Sequence, residues 1–298
     1  MMEKGGVFMQ FRTDLTLEAA ETAASLPEQD CKITVKQQHG ITVTTHHIRT
    51  DTAAQQLHKP KGIYVTLELP PLSDDETKLL EGADALADAL ATTLPKTGTV
   101  LVVGLGNRAI TPDALGPKAA DMTLATRHIQ GEFARSVGLS DLRATAVLCP
   151  GVLGQSGFES VEAVKGLCGV VHPAAVVAID ALAARSIERL GCTVQLTDSG
   201  IAPGAGVGNR RAALSRETLG IPVIGIGVPT VVDAAVIAGA CVKNTADILL
   251  PPAAQTLMVT PKEIDLLVHR AARLIAAGLH KALHPAYSPL ELISLAIG

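Results

Sequence analysis

The sequence predicts an α/β fold: a mostly parallel or mixed sheet flanked by helices, with a β-hairpin region near the amino terminus. Three observations predict it. Short apolar runs rich in β-branched residues recur, as at 100–103 (VLVV) and 174–179 (AAVVAI), and each suits a strand buried on both faces. From residue 61 onward such runs alternate with helical patterns, which is how parallel strands and their crossovers read. Nearer the amino terminus, two segments of alternating polarity flank His39-Gly40, as the arms of a hairpin do.

Taken in order, residues 1–12 carry no periodic pattern and read as a loose arm. A helix is expected over 13–26, then hairpin strands at 32–35 and 41–47, then a third strand at 61–69 (KGIYVTLEL). Residues 74–94 read as a long amphipathic helix, with acid at its start and Pro95 past its end. The strand at 100–103 runs into Gly104, Gly106 and Asn107, which permit a tight turn. Thr111-Pro112-Asp113 then reads as a helix start: Thr111 as N-cap, Pro112 at the first helical position, Asp113 in the first turn. A strand follows at 144–148, a glycine-rich stretch at 151–157 and a helix at 158–167. Asp180 comes directly after the run at 174–179, and 180–191 (DALAARSIERLG) reads as a helix stopped by Gly191. Further strands are expected at 192–196 and 221–226, and helices at 230–241 and 261–279, with a short helix closing the chain.

Composition narrows the function. The 298 residues suit one α/β domain with insertions. They are 47% hydrophobic but only 2% aromatic, without Trp, so the core is built from Ala, Val, Leu and Ile. A net charge of −4 leaves no electrostatic footprint for nucleic acid. The five cysteines (Cys31, Cys149, Cys168, Cys192, Cys241) show no CxxC or Cys/His ligand spacing, and most read as small buried hydrophobes in a reducing cytoplasm. The amino terminus lacks the apolar core of a signal peptide. The apolar stretch 221–242 contains Pro222, Pro229 and Asp233, and reads as a strand, a turn and a helix rather than a membrane span.

Two carboxylates stand out. Asp113 follows one buried strand and Asp180 follows another, at the carboxyl ends where open α/β sheets place their sites. If those strands are neighbours, the two side chains face each other across a crevice. Each has a plainer reading, Asp113 as a first-turn acid and Asp180 as an N-cap. Their joint placement singles them out. GLGNRA (104–109) fits a loose dinucleotide pattern, but Pro112 delays the helix that would receive the pyrophosphate, and no acidic strand end follows about 20 residues later. The glycine-rich segment 200–208 has backbone suited to cradling an anion but lacks a P-loop ending, and Arg210-Arg211 close it. His172 is the histidine that would serve as a third ligand if the aspartates held a metal. Cys149 lies at a strand end without an evident His partner.

Several long stretches resemble the germination protease family of spore-forming bacteria: RTDLTLEA (12–19), VVGLGNRAITPDALGP (102–117), PGVLGQSGFE (150–159), AIDALAARS (178–186), TDSGIAPGAGVGNRR (197–211) and IGIGVPTVVDA (224–234). The resemblance implies a fold shared with hydrogenase-maturation proteases. It implies an endopeptidase of the spore-core cytoplasm that degrades small acid-soluble spore proteins, is made as an inactive zymogen, works as a homotetramer and needs no cofactor. The family's two proposed catalytic aspartates map to Asp113 and Asp180, and its self-processing site maps to the bond between Asp14 and Leu15. Residues 1–14 would then be a propeptide-like arm and 15–298 a single α/β protease domain. Family substrates are cut after Glu in a Thr-Glu-(Phe/Ile)-Ala-Ser-Glu context. Thr13-Asp14-Leu15-Thr16-Leu17-Glu18 imitates this, with Thr16 where a small Ala is usual, whereas Arg49-Thr50-Asp51-Thr52 lacks the apolar residue after Asp. The chain is also shorter than typical members. Two alternatives stay open on the residues alone: a metal-dependent peptidase using Asp113, Asp180 and His172, and a non-catalytic oligomeric peptide-binding protein.

Overall fold

A computed structural model describes residues 13–23, 26–74, 77–129, 131–136, 138–204, 212–241 and 257–298. The helix α1 (Thr16–Thr22) precedes the hairpin β1 (Cys31–Gln38) and β2 (Ile41–Ile48). Then come α2 (Asp51–Leu57), β3 (Gly62–Glu68), α3 (Leu79–Thr93) and β4 (Val100–Gly104). A 3-10 turn (Thr111–Asp113) leads into α4 (Leu115–Asp121), α5 (Gly131–Ser136), β5 (Thr145–Leu148), α6 (Leu153–Ser156) and α7 (Ser160–Val171). The rest is β6 (Ala175–Ala184), a 3-10 turn (Ile187–Arg189), β7 (Thr193–Thr197), α8 (Arg216–Leu219), β8 (Val223–Asp233), α9 (Ala234–Cys241), β9 (Met258–Val259), α10 (Ile264–Leu283) and α11 (Pro289–Ile297).

Among the described residues the strands form one mixed sheet in the order β1-β2-β3-β7-β8-β6-β4-β5, with β9 on β8. The half from β8 to β5 is parallel. The half from β1 to β8 is antiparallel, so the sheet is less parallel than the strand-helix alternation suggests. The hairpin turns where expected, with His39 and Gly40 both at positive φ (51° and 70°), which suits a two-residue turn between twisted strands.

Side chains of the central strands alternate between two layers. Val100 and Val102 of β4, and Ala175, Val177 and Ile179 of β6, pack with α3, α4 and α10. Leu101, Val103, Val176 and Ala178 pack on the opposite face with Val164 of α7 and Leu219 of α8. Both strands are shut from water on both sides, as their unbroken apolar runs require.

Four local expectations are corrected. Residues 180–184 continue β6 instead of starting a helix. Ala181–Ala184 are paired in parallel with β8, and burial in the sheet outweighs the helix preference of alanine. β8 likewise runs on through Pro229 and Thr230, where the β-branched Thr230, Val231 and Val232 suit a strand beside β6, and α9 starts only at Ala234. Thr111 does not cap a helix: it lies inside the 3-10 turn, whose N-cap is Ile110. α1 and α3 start later than expected, at Thr16 and Leu79. The stretch at Thr50-Asp51 turns out to be the start of α2, where Thr50 accepts from the Ala53 N–H at 3.3 Å. Of the cysteines, Cys31 is buried, Cys168 and Cys192 are half-buried and Cys149 is exposed. Among the described residues no helix is long and apolar enough to cross a membrane.

The end of α10 carries two buried histidines, His280 and His284, with ring centroids 5.8 Å apart. His280 Nε2 meets Met122 O at 3.0 Å, and His284 Nδ1 accepts from the Arg143 N–H at 3.2 Å. Burial holds both imidazoles below their usual range, and His284, beside His280 and Arg143, is lowered to about 4. An unfolded imidazole titrates near about 6.5, so between those values the unfolded chain binds the extra proton. Stability is therefore full above about pH 6.5 and falls as the pH drops toward 4, on the order of 2 kcal/mol from His284 alone. Denaturant midpoints measured from pH 7.5 to 4.5 should show this decline, and His284→Gln should flatten it.

Candidate active site

The site is built where β4 ends alongside the middle of β6. These strands are parallel neighbours, with Gly104 opposite Ile179, so Asp180 is the first residue of β6 beyond the paired stretch of β4. The Leu105 N–H donates to Ile179 O at 2.8 Å and keeps the two chains together past that point. The 3-10 turn and α4 then fold back over the end of β4 and the neighbouring part of β6. They can do so because Gly116 has no side chain: a Cβ there would lie 2.2 Å from Leu105 O and 2.4 Å from Ile179 O. This close approach lowers Asp113 onto the rim of the sheet.

Asp113 is fixed from several sides. Its Oδ2 accepts from the Asn107 N–H at 2.8 Å, and its own N–H donates to Ile110 O at 2.8 Å. Gly106 passes beside it at φ 108°, where a Cβ would meet Asp113 O at 2.1 Å. The turn is tied to β8 through Thr230, whose Oγ1 donates to Pro112 O at 2.8 Å. Asp180 is buried (4% exposed), and its Oδ1 accepts from the Ala181 N–H at 2.9 Å.

Asp113 and Asp180 line one cavity of about 390 Å³, together with Asp14, Ser160, Thr230 and Thr260. The two strands are thus neighbours, and the two aspartates open into one space. Asp14, expected only as one side of a cut bond, lines the same cavity. Its N–H donates to Ala183 O at 2.9 Å, and its Oδ2 accepts from the Ala183 N–H at 2.9 Å, so the segment lies along the far end of β6. Burial pushes the Asp14 carboxyl above its usual range, against the pull of Lys59 and the Ala183 N–H. Burial likewise lowers Lys59, against the pull of Asp14 and Glu18. Glu18 is fully buried and accepts from the Arg185 and Ser186 N–H groups at 2.8 and 2.9 Å, and from the Thr13 hydroxyl. The bond after Asp14 therefore precedes α1 rather than lying within it.

Other candidates fall away from the site. His172 caps α7 just before the amino end of β6, whereas Asp180 lies in the carboxyl half of that strand. About five residues of extended chain, roughly 16 Å, separate the two ends, too far for a shared ligand sphere. Among the described residues no cluster of three or more His, Cys, Asp or Glu is placed to hold a metal ion. Cys149 borders a neighbouring cavity of about 620 Å³ with Arg108 and Gly106. Partial desolvation and Asp121 push its thiol above the usual range, which keeps it protonated and a poor nucleophile. In the glycine-rich segment, Pro203 and Gly204 line the aspartate cavity, while residues 205–211, with Arg210 and Arg211, lie outside the described residues.

Three residues were missed in the sequence. Lys59 sits in an ordinary-looking turn, and nothing local marks it. Thr230 was assigned to a helix. Gln195 did leave a signal: it is a polar residue inside a short strand whose five positions are all buried.

Comparison with known proteins agrees with these stretches. The family model described as germination protease matches residues 13–249. A germination protease of Caldanaerobacter subterraneus subsp. tengcongensis is 38% identical over an alignment 321 positions long, spanning 97% of this chain and 99% of its own. One from Clostridium acetobutylicum is 36% identical over 323, spanning 94% and 97%. A solved NiFe hydrogenase maturation protease, HycI of Thermococcus kodakarensis, aligns with 70% of this chain and 98% of its own at 19% identity, with a TM-score of 0.37. Matched by the family model across most of its length and by relatives nearly end to end, the chain belongs to the germination protease family and is a protease.

Proposed function

We propose that this protease is a zymogen that cuts itself between Asp14 and Leu15 and then begins the breakdown of small acid-soluble spore proteins at germination, using Asp113 and Asp180 as its hydrolytic pair. The observation that carries this reading is the single cavity shared by Asp113, Asp180 and Asp14. The resemblance to the family supports a homotetramer working in the cytoplasm of the spore core.

Two carboxyls in one cleft resist ionising together, so the pair holds one proton across a range of pH. The ionised member takes a proton from water. The protonated member polarises the scissile carbonyl and afterwards gives its proton to the leaving nitrogen. The pair titrates jointly, so the roles belong to the pair rather than to either residue. In the uncut chain the 13–18 segment is seated against β6 with Asp14 lining the cavity, which leaves less room for a second chain.

Incubation of the purified chain with a small acid-soluble spore protein tests the reading. Fragments ending in Glu and beginning with an apolar residue are expected, appearing after a lag that follows the chain's own shortening. An intact spore protein after complete shortening would remove the proposed substrate.

A further inference from the structure

The carbonyl oxygen of Asp14 is held more tightly than the anchoring of an arm requires. Lys59 Nζ donates to it at 2.9 Å and Gln195 Nε2 donates to it at 2.9 Å. Lys59 Nζ also donates to Thr13 O at 3.0 Å, and Gln195 Oε1 accepts from the Thr16 N–H at 2.6 Å. Gln195 therefore grips the chain on both sides of the Asp14–Leu15 bond. The Ala183 bonds fix the register on one side, and Leu15, fully buried with Leu182, Ala184, Val232 and Val236, fixes it on the other.

Burying an ammonium group is expensive, and a neutral donor would satisfy a carbonyl more cheaply. Lys59 is half-buried, with Asp14 and Glu18 as the opposing charges. Two donors converging on one carbonyl oxygen at under 3 Å, one of them cationic, match what an oxygen needs when it takes on negative charge.

We propose that Lys59 and Gln195 form the oxyanion cradle for cleavage of the Asp14–Leu15 bond. This rests on the reading that the chain cuts itself there. The oxygen of a water bonds to the Asp14 carbonyl carbon and loses a proton to the ionised carboxylate of the pair. The π electrons move to the carbonyl oxygen, whose charge faces Lys59 Nζ and Gln195 Nε2. Collapse restores the C=O bond and breaks the C–N bond, and the Leu15 nitrogen takes a proton from the protonated carboxyl. The products are a new carboxyl group on Asp14 and a free amine on Leu15.

The test follows the intact mass of the purified full chain over time, beside its thermal midpoint, for wild type, Lys59→Met, Gln195→Met and Lys59→Arg. Lys59→Met is expected to be cut roughly 100-fold or more slowly, the usual consequence of losing one oxyanion donor. Gln195→Met should slow cutting in the same direction, and Lys59→Arg, which keeps charge and donors, should recover part of the rate. Should Lys59→Met fail to fold, Gln195→Met and Lys59→Arg still decide the matter. Folded variants cut at the wild-type rate or faster would overturn the cradle and leave the two side chains as a restraint on the arm. A wild-type chain never cut after Asp14 would instead defeat the self-cleavage reading, and the cradle with it.

Discussion

An Asp180→Asn chain is expected to fold normally and to lose hydrolysis of spore protein by at least about 1,000-fold, since proton transfer by a positioned group contributes roughly 100- to 10,000-fold and the proposed pair would supply both transfers. The substitution changes almost no volume. The amide oxygen still accepts from the Ala181 N–H that now holds Oδ1 at 2.9 Å. What goes is the ability to take or share a proton. Asp113→Asn should behave alike, because its amide oxygen can keep the Asn107 N–H bond of 2.8 Å. Residues acting as a unit are not additive, so the double variant should be little worse than either single one. Turnover of spore protein beside the thermal midpoint measures all three. A single variant with near wild-type turnover would take its aspartate out of the chemistry.

Gly116→Ala should be the most damaging small substitution in the scaffold. Its Cβ would meet Leu105 O at 2.2 Å, Ile179 O at 2.4 Å and Leu105 N at 2.5 Å. All three are backbone atoms, at the end of β4 and within β6, with no flexible side chain to yield. α4 must lift away, and the turn carrying Asp113 moves with it. A cost of about 3 kcal/mol or more is expected, at the upper end for overpacking. The thermal midpoint should fall by roughly 10 °C, or the chain should fail to accumulate. Gly166→Ala provides the contrast. Gly166 lies on the exposed side of α7 with nothing within 4 Å of a built Cβ, so alanine there should stabilise by about 0.5–1 kcal/mol. Equal midpoints for the two variants would show that the strand ends are not packed as tightly as described.

How much could be read in advance depended on how local the cause was. The hairpin about His39-Gly40 needs only alternation and a turn, and it folds as expected. The runs at 100–103 and 174–179 are apolar at every position and rich in valine, which suits a strand covered on both faces. The stretch after Asp180 was misread because Ala-Leu-Ala-Ala favours a helix until a neighbouring strand is present to pair with it. The antiparallel joins of β3 to β7 and of β7 to β8 were likewise invisible, since β3 meets β7 across more than a hundred residues. The two aspartates were legible because each follows a recognisable apolar run, although Asp180 lies inside β6 rather than past its end. Lys59 was not, because its role comes from a contact with Asp14 that no local pattern encodes. The functional elements hardest to foresee are those that a distant segment completes.

The most direct measurement is the intact mass of purified Asp113→Asn and Asp180→Asn chains after prolonged incubation at mildly acidic pH, beside wild type. If the two carboxyls act as one proton-sharing pair, wild type loses residues 1–14 while both variants keep their full mass and a cooperative thermal transition. Appearance of a chain beginning at Leu15 from folded Asp113→Asn alone would contradict that pairing.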